Sequence, residues 1–407
     1  MTKLGLLADR RVAGLLVAEV VSTTGAQMTW LALPWFVLVT TGSAARMGFV
    51  VAAEVAGAAV FGLPGGSMLG RLGSRRSMLL ADACRAPLVL LVPILFWVGA
   101  LSYPLLLVLV FAIGAFFAPY FAAQRVILPE LLGEEEQVVA RANALLQAAT
   151  RVTMLLGPAL AGLLIAWIGA TSVLVIDAAT YAVSFLLVGL FLPPGRAVQP
   201  DESSRGLLAG LRVFARDPLL RAWGMAIVVV DASWIVLFVG IPVLVFEEYG
   251  GHAATAGWLL AAFGAGSVVG NAVAYRSLKR FDSLTWASSG LMFESVPLWV
   301  LAFPVPPLAI GCALGASGLV NGLVNPALHS ILTLRAPAAV RAKMMTALLT
   351  LSQVGGPLAL LVAGPALGAW GARPVFAVVA AVQTLARTVA GTVGLRLRVG
   401  AAEPAPT

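Results

Sequence analysis

The chain has 407 residues, of which 60% are apolar and 11% charged, and its mean hydropathy is +0.98. That balance lies outside the range of an ordinary soluble domain and excludes one. The net charge of +8 is spread over short connections beside apolar runs, where it meets lipid headgroups. It therefore marks topology and not a nucleic-acid surface.

Twelve apolar runs follow in order, near 12–39, 47–69, 77–99, 104–123, 143–166, 172–192, 222–246, 256–275, 284–302, 306–328, 344–367 and 374–395. Each is long enough to cross a hydrocarbon layer roughly 30 Å thick as a helix. The first begins beside Lys3, Arg10 and Arg11, as a secretory signal does. It continues for about 28 residues, too long for a signal's apolar core, and reads as the first span.

Of the 26 Lys and Arg residues, Arg85, Arg151 and Arg387 fall inside spans, and only Arg46 and Arg373 fall on one set of connections. The rest occupy the termini and the alternate connections. Basic residues gather on the cytoplasmic side, so both termini are expected inside a multi-pass protein of the cell membrane. Cys84 and Cys312 lie within spans without metal-ligand or redox spacing and are expected to be packing residues.

The longest polar stretch, from Pro193 to Pro218, separates six spans from six. Four segments are expected: a bundle at 1–192, a cytoplasmic linker at 193–221, a second bundle at 222–395 and a cytoplasmic tail at 396–407. Leu207, Leu208, Leu211 and Phe214 beside Arg205, Arg212 and Arg216 fit a short amphipathic helix on the membrane surface. A plain solvated linker is the competing reading. A shift of 205 positions superimposes Arg71 on Arg276 and Arg75 on Arg280, and Gly157-Pro158 is echoed by Gly356-Pro357. The fold class expected is an all-α membrane protein of twelve transmembrane helices in two pseudo-symmetric six-helix bundles.

Several phrases resemble the major facilitator superfamily over nearly the whole chain. Gly66 through Arg76, with Arg71, Gly73, Arg75 and Arg76 in place, looks like its loop motif Gly-x-x-x-Asp-Arg-x-Gly-Arg-Arg. The motif's Asp position is Gly70 here and one Arg position is Ser74, so the acidic half of the usual gate is missing; Asp82 and Arg85 are a substitute pair nearby. Gly157-Pro158-Ala159-Leu160-Ala161-Gly162 resembles the fifth-helix motif associated with antiporters. Leu33-Pro34-Trp35, Ala81-Asp82-Ala83-Cys84-Arg85-Ala86, Ala142-Asn143-Ala144-Leu145 and Ile176-Asp177-Ala178-Ala179-Thr180 look like the macrolide-efflux and enterobactin-exporter branch. The resemblance implies the major facilitator fold and, in most of that branch, export.

Nine ionisable residues fall within spans: Glu19, Glu54, Asp82, Arg85, Arg151, Asp177, Asp231, Glu294 and Arg387. A charge at a helix centre costs roughly 2.5–3.5 kcal/mol on insertion scales, so such groups pair or face a cavity. Asp82 and Arg85, three apart on one face, are expected to pair with each other or with Arg71 and Arg75. Asp177 and Arg387 are both expected to anchor structure, and Arg387, near the inner end of its helix, can snorkel. Glu19, Asp231, Glu54 and Glu294 lack a basic neighbour in sequence and are the candidates for proton coupling, with a static pair to Arg151 as the alternative.

Gln27, Trp30, Arg151, Trp234, Phe238 and Gln353 are candidates for a substrate cavity suited to amphipathic organic molecules. Trp35, Trp258 and Phe263 join them, and Asn321 and Asn325, one turn apart, either line the path or bond a neighbouring helix. The expected partners are a small-molecule substrate, protons and membrane lipid, with no nucleic acid, for a monomer without cofactor or metal. With no nucleotide-binding loop and only His252 and His329 as histidines, an enzyme is not expected. The leading function is proton-coupled efflux by alternating access. Import or facilitated diffusion of a metabolite is the rival, and a non-transporting sensor the remaining class.

Overall fold

The computed structural model describes residues 9–133, 136–193, 217–277, 282–335 and 341–402. Among these, the secondary structure is helical throughout: α1 Arg10–Thr41, α2 Ala44–Leu72, α3 Ser74–Trp97, α4 Tyr103–Ala115, α5 Phe117–Leu132, α6 Glu136–Ile168, α7 Ala170–Phe191, α8 Pro218–Glu248, α9 Ala253–Ser277, α10 Ser283–Glu294, a 3₁₀ segment Val296–Ala302, α11 Pro307–Arg335, α12 Arg341–Trp370 and α13 Ala372–Ala402. Ten stretches among the described residues are long and apolar enough to cross a membrane. Helix α1 and the broken α10–3₁₀ pair bring the crossings to twelve. Most of the linker expected at 193–221, including its amphipathic helix, lies outside the described residues.

The interhelical turns are marked by glycine at left-handed φ, including Gly42 (φ 62°), which closes α1 with its N–H on the Leu38 carbonyl. Polar caps start other helices: Asp217 accepts from the N–H groups of Leu219 and Leu220, and Asp282 from that of Thr285. The first amides of a helix have no partner within it, and a side-chain acceptor at the cap satisfies them and fixes the start.

Two spans are interrupted. The fourth breaks at Phe116, between α4 and α5, and the ninth breaks at Ser295, where α10 gives way to the 3₁₀ segment. Pro119 and Pro297 follow the two breaks, and a proline ring opposes the carbonyl four residues upstream while offering no N–H.

The chain divides into two compact units, residues Met1–Asp201 with His252–Gly257, and Glu202–Gly251 with Trp258–Thr407. Each is a helical bundle held by close backbone approach. In unit 1, Gly57 on α2 lies against the Phe111 carbonyl of α4, and Gly114 of α4 lies against the Glu54 carbonyl of α2. In unit 2 the corresponding contact joins α9 and α11, where Gly266 faces Gly315, Gly270 faces Leu319, Gly318 faces Phe263 and Gly322 faces Ser267. With lipid tails as apolar as leucine, such contacts supply packing that hydrophobicity does not. Larger side chains fill the space between helices: Leu15, Met78, Tyr120, Ile127 and Val188 in unit 1, and Leu220, Trp223, Leu291, Val324 and Leu328 in unit 2.

Candidate functional site

In unit 1 the buried charges surround one guanidinium. Arg85 on α3 is 5% exposed and lies over the rings of Tyr181, Phe117 and Tyr120, 5.0, 5.7 and 5.8 Å from their centroids. The break in the fourth span brings Phe117 and Tyr120 to that cage. No carboxylate contacts Arg85 as an ion pair among the described residues, and its Nε has no acceptor. The expected Asp82–Arg85 bridge is replaced: Asp82 accepts from the Ser184 hydroxyl at 2.7 Å on α7, while Arg85 lies over the rings, Tyr181 of α7 among them.

Three further carboxylates lie in electrostatic range of Arg85. Asp177 accepts from Thr29 at 2.6 Å and from Thr180 at 3.2 Å, tying α7 to α1. Glu19 is buried and accepts from Thr150 at 3.3 Å, with Thr23 and Gln124 beside it and its Oε2 unpartnered. Glu54 is partly buried, near both Arg85 and Asp177. Arg151 is exposed and forms no ion pair among the described residues, so it is not the partner of these acids.

The loop motif is held by different contacts from those of its acidic pattern. Gly73 adopts φ 78°, Ser74 donates to Glu130 at 2.5 Å, and Arg75 donates to the Gly189 carbonyl at 2.6 Å. Arg71 and Arg76 are exposed, and Gly66 is part of α2. Glu130, at the far end of the fourth span, is thus the carboxylate that Ser74 meets. Gly157 lies against Gln27 so closely that a Cβ would collide with it, and Pro158 is accommodated within α6.

Unit 2 has a different arrangement. Arg387 on α13 and Glu294 on α10 form an ion pair, with side chains 2% and 1% exposed. Arg387 therefore does not snorkel, because a buried carboxylate from a helix 93 positions earlier neutralises it. Asn321 donates to Glu294 at 2.9 Å, and Asn325 donates to Asn321 at 3.0 Å. The ninth span ends its α-helical part at Glu294, and side chains take over there. Ser317 donates to the Glu294 carbonyl at 2.9 Å, Thr384 lies 3.1 Å from Ser295, and Trp299 donates to Thr384 at 3.1 Å. Backbone freed in a bilayer is tolerated where such groups satisfy it or where it borders a cavity.

A cavity of about 130 Å³ opens at this point, lined among others by Trp223, Asp231, Trp234, Glu294, Asn321, Asn325, His329 and Arg387. Asp231 is open to it, with Ser352 alongside. Trp234 stands 4.3 Å from Phe263 and 5.4 Å from Phe238 between ring centroids, so these three aromatics form one cluster. Helix α8, which carries Asp231 and Trp234, is clamped at both ends. Arg335 donates to Asp217 at 2.7 Å, and Arg373 grips both oxygens of Glu248 and reaches Tyr249 at 3.0 Å.

Of the expected cavity residues, Trp234 and Phe238 come together. Trp30 and Gln27 belong to α1, Arg151 to α6, and Gln353 is exposed on α12; none of these four lines the unit 2 cavity. Sequence reasoning misses the Arg85 cage, although three aromatics on the fourth and sixth spans are the available signal.

A polytopic helical protein with charges concentrated at mid-span beside broken helices has the architecture of a membrane transporter. The chain belongs to the Major Facilitator Superfamily, whose family model matches residues 15–360 and 223–396. It is 28% identical over 377 residues to a protein named Multidrug efflux pump Tap from Mycolicibacterium fortuitum, covering 89% of this chain and 90% of that one. The Mycobacterium tuberculosis (strain ATCC 25618 / H37Rv) protein of the same name is 28% identical over 398 residues, covering 94% and 92%.

Among solved structures, a bacterial homologue of the human lysosomal transporter Spinster superimposes with a TM-score of 0.75 at 14% identity, covering 97% of this chain and 98% of that one. The nucleoside transporter NupG does so at 0.71 and 13% identity, covering 94% and 98%. These two likenesses concern the fold.

Proposed function

We propose that the protein is a secondary exporter of small amphipathic compounds, drugs or natural products, driven by proton antiport through alternating access. It acts as a monomer in the cell membrane with both termini cytoplasmic. The names carried by its relatives support the direction of transport. The alternation of basic connections supports the orientation.

The observation that carries proton coupling is the charge imbalance of unit 1. Asp82, Asp177, Glu19 and Glu54 gather around one guanidinium, and that guanidinium is in contact with rings and not with any of them. Four ionised carboxylates against one cation is a costly state inside a bilayer, so protons must offset part of the charge. Asp177 is engaged at both oxygens by hydroxyl donors. Asp82 and Glu19 each keep one oxygen unpartnered; Glu19, which unlike Asp82 has no basic neighbour in the sequence, and Glu54, with no hydrogen bond among the described residues, are the exchanging groups. Glu294 is held by Arg387, which leaves Asp231 as the carboxylate of unit 2 that is open to the cavity.

Purified protein in vesicles tests the reading. An imposed proton gradient should drive accumulation of an amphipathic dye, and dye movement should in turn carry protons. Dye flux indifferent to the gradient would reject proton coupling, and no flux under any condition would reject transport of this class of compound.

A further inference from the structure

The unit 2 cavity combines features that none of its residues has alone. Its volume, about 130 Å³, falls short of the roughly 300–1,000 Å³ of a drug-sized pocket, so it holds a headgroup and not a whole cargo molecule. Glu294 and Arg387 cancel each other's charge across their ion pair. What remains is Asp231, a carboxylate that opens on the cavity and forms no ion pair among the described residues. Trp234 follows three positions later on α8, a spacing that places both side chains on one helix face. The second observation is independent of charge. Trp234 is 8% exposed, lines the cavity, and its indole N–H has no acceptor among the described residues. A buried donor left unmatched is costly, and a ligand oxygen would match it.

We propose that this cavity is a subsite for an organic ammonium ion carrying a nearby ether, hydroxyl or carbonyl oxygen. Asp231 takes the ammonium by a charge-assisted hydrogen bond, and the ring of Trp234, backed by Phe238 and Phe263, provides an aromatic wall for its N–CH₂ groups. The ligand oxygen accepts from the indole N–H. The amide chain Asn325–Asn321–Glu294 holds the polar side in register. His329 is also in the lining. This inference rests on the efflux reading, because it names the class of cargo headgroup that the pump takes.

The test uses the full chain in detergent, at equilibrium and without a gradient, with 2-phenoxyethylamine and its neutral counterpart 2-phenoxyethanol as probes. The wild-type protein should bind the amine roughly tenfold tighter or more, the scale of one hydrogen bond to a charged group. Asp231→Asn should bring the two probes to equal affinity, and Asp231→Glu should restore the preference. Trp234→Phe should reduce the advantage of 2-phenoxyethylamine over 3-phenylpropylamine, which lacks the ether oxygen. Equal binding of amine and alcohol by the wild-type protein overturns the subsite, and needs no variant to fold. A preference that survives in Asp231→Asn overturns it as well. Amine preference without gradient-driven export would remove the efflux reading alone, whereas export of a neutral dye without amine preference would remove the subsite alone.

Discussion

The two units bury one arginine each among the described residues, Arg85 on the third span and Arg387 on the twelfth, and stabilise them by opposite means. Arg387 has a carboxylate in direct contact, itself tied into an amide chain. Arg85 has aromatic faces in contact and carboxylates only at a distance. A contact pair of opposite charges in low dielectric is electrically quiet and resists change. On the proposed reading, a cation on rings with acids at a distance leaves those acids to exchange protons, so that unit 2 carries a static charge lock and unit 1 the titratable cluster.

The largest effect expected from breaking this contrast is at the lock. Arg387→Met leaves Glu294 buried without its partner and should cost about 3–5 kcal/mol, seen as a large fall in melting temperature and in the yield of folded protein. Adding Glu294→Gln should recover much of that loss, since both charges are then gone. A double variant no more stable than the single would mean that the pair does not act as a unit.

Glu19→Gln addresses the titratable side. Folding should change little, because the amide keeps the size and the Thr150 contact, while gradient-driven dye accumulation should fall to the level of protein-free vesicles. Downhill counterflow should persist. Full uphill accumulation in both Glu19→Gln and Glu54→Gln would place the coupling proton elsewhere and dissolve the contrast between lock and cluster.

Much of this is legible in the amino-acid sequence. The spans, their number and the family follow from apolar run length and from phrases such as Gly66 through Arg76 and Gly157-Pro158. What stays hidden depends on which helices touch. Glu294 and Arg387 are far apart in the chain, and sequence offers no reason to pair the ninth span with the twelfth. The Ser184 hydroxyl that takes Asp82 away from Arg85 is equally remote. The interruptions at Phe116 and Ser295 do leave a trace in Pro119 and Pro297. Proline is common enough in membrane helices that the trace does not say which helix will part.

A packing change should be felt alike in the two units and so sharpens the comparison by its symmetry. Gly114→Ala puts a methyl group into the Glu54 backbone, and Gly270→Ala puts one into that of Leu319. Each should cost about 1–3 kcal/mol, the range for overpacking, read as a lowered melting temperature. A loss confined to one unit would show that the glycine contacts of the two bundles are not equivalent.

The smallest effect concerns the clamp on α8 at Asp217. Partial burial raises the affinity of this carboxyl for a proton, but the Arg335 guanidinium and the N–H groups of Leu220 and Leu219 outweigh it and hold the pKa below the ordinary carboxylate value. With the folded value depressed, the contribution to stability is fully present above the unfolded-state pKa near 4 and is lost as pH falls through the folded one. Both side chains are partly exposed, at 38% for Arg335 and 25% for Asp217, so solvent screening limits the ion pair to about 1 kcal/mol or less. Asp217→Asn should therefore lower the melting temperature slightly at pH 7, and the difference from wild type should shrink on acidification below pH 4. The amide still caps α8, so what disappears is the charge alone. A gap between the two proteins that widened in acid would mean that Asp217 is stabilised in its protonated form, and Arg335 would then not be the partner that holds this end of the helix.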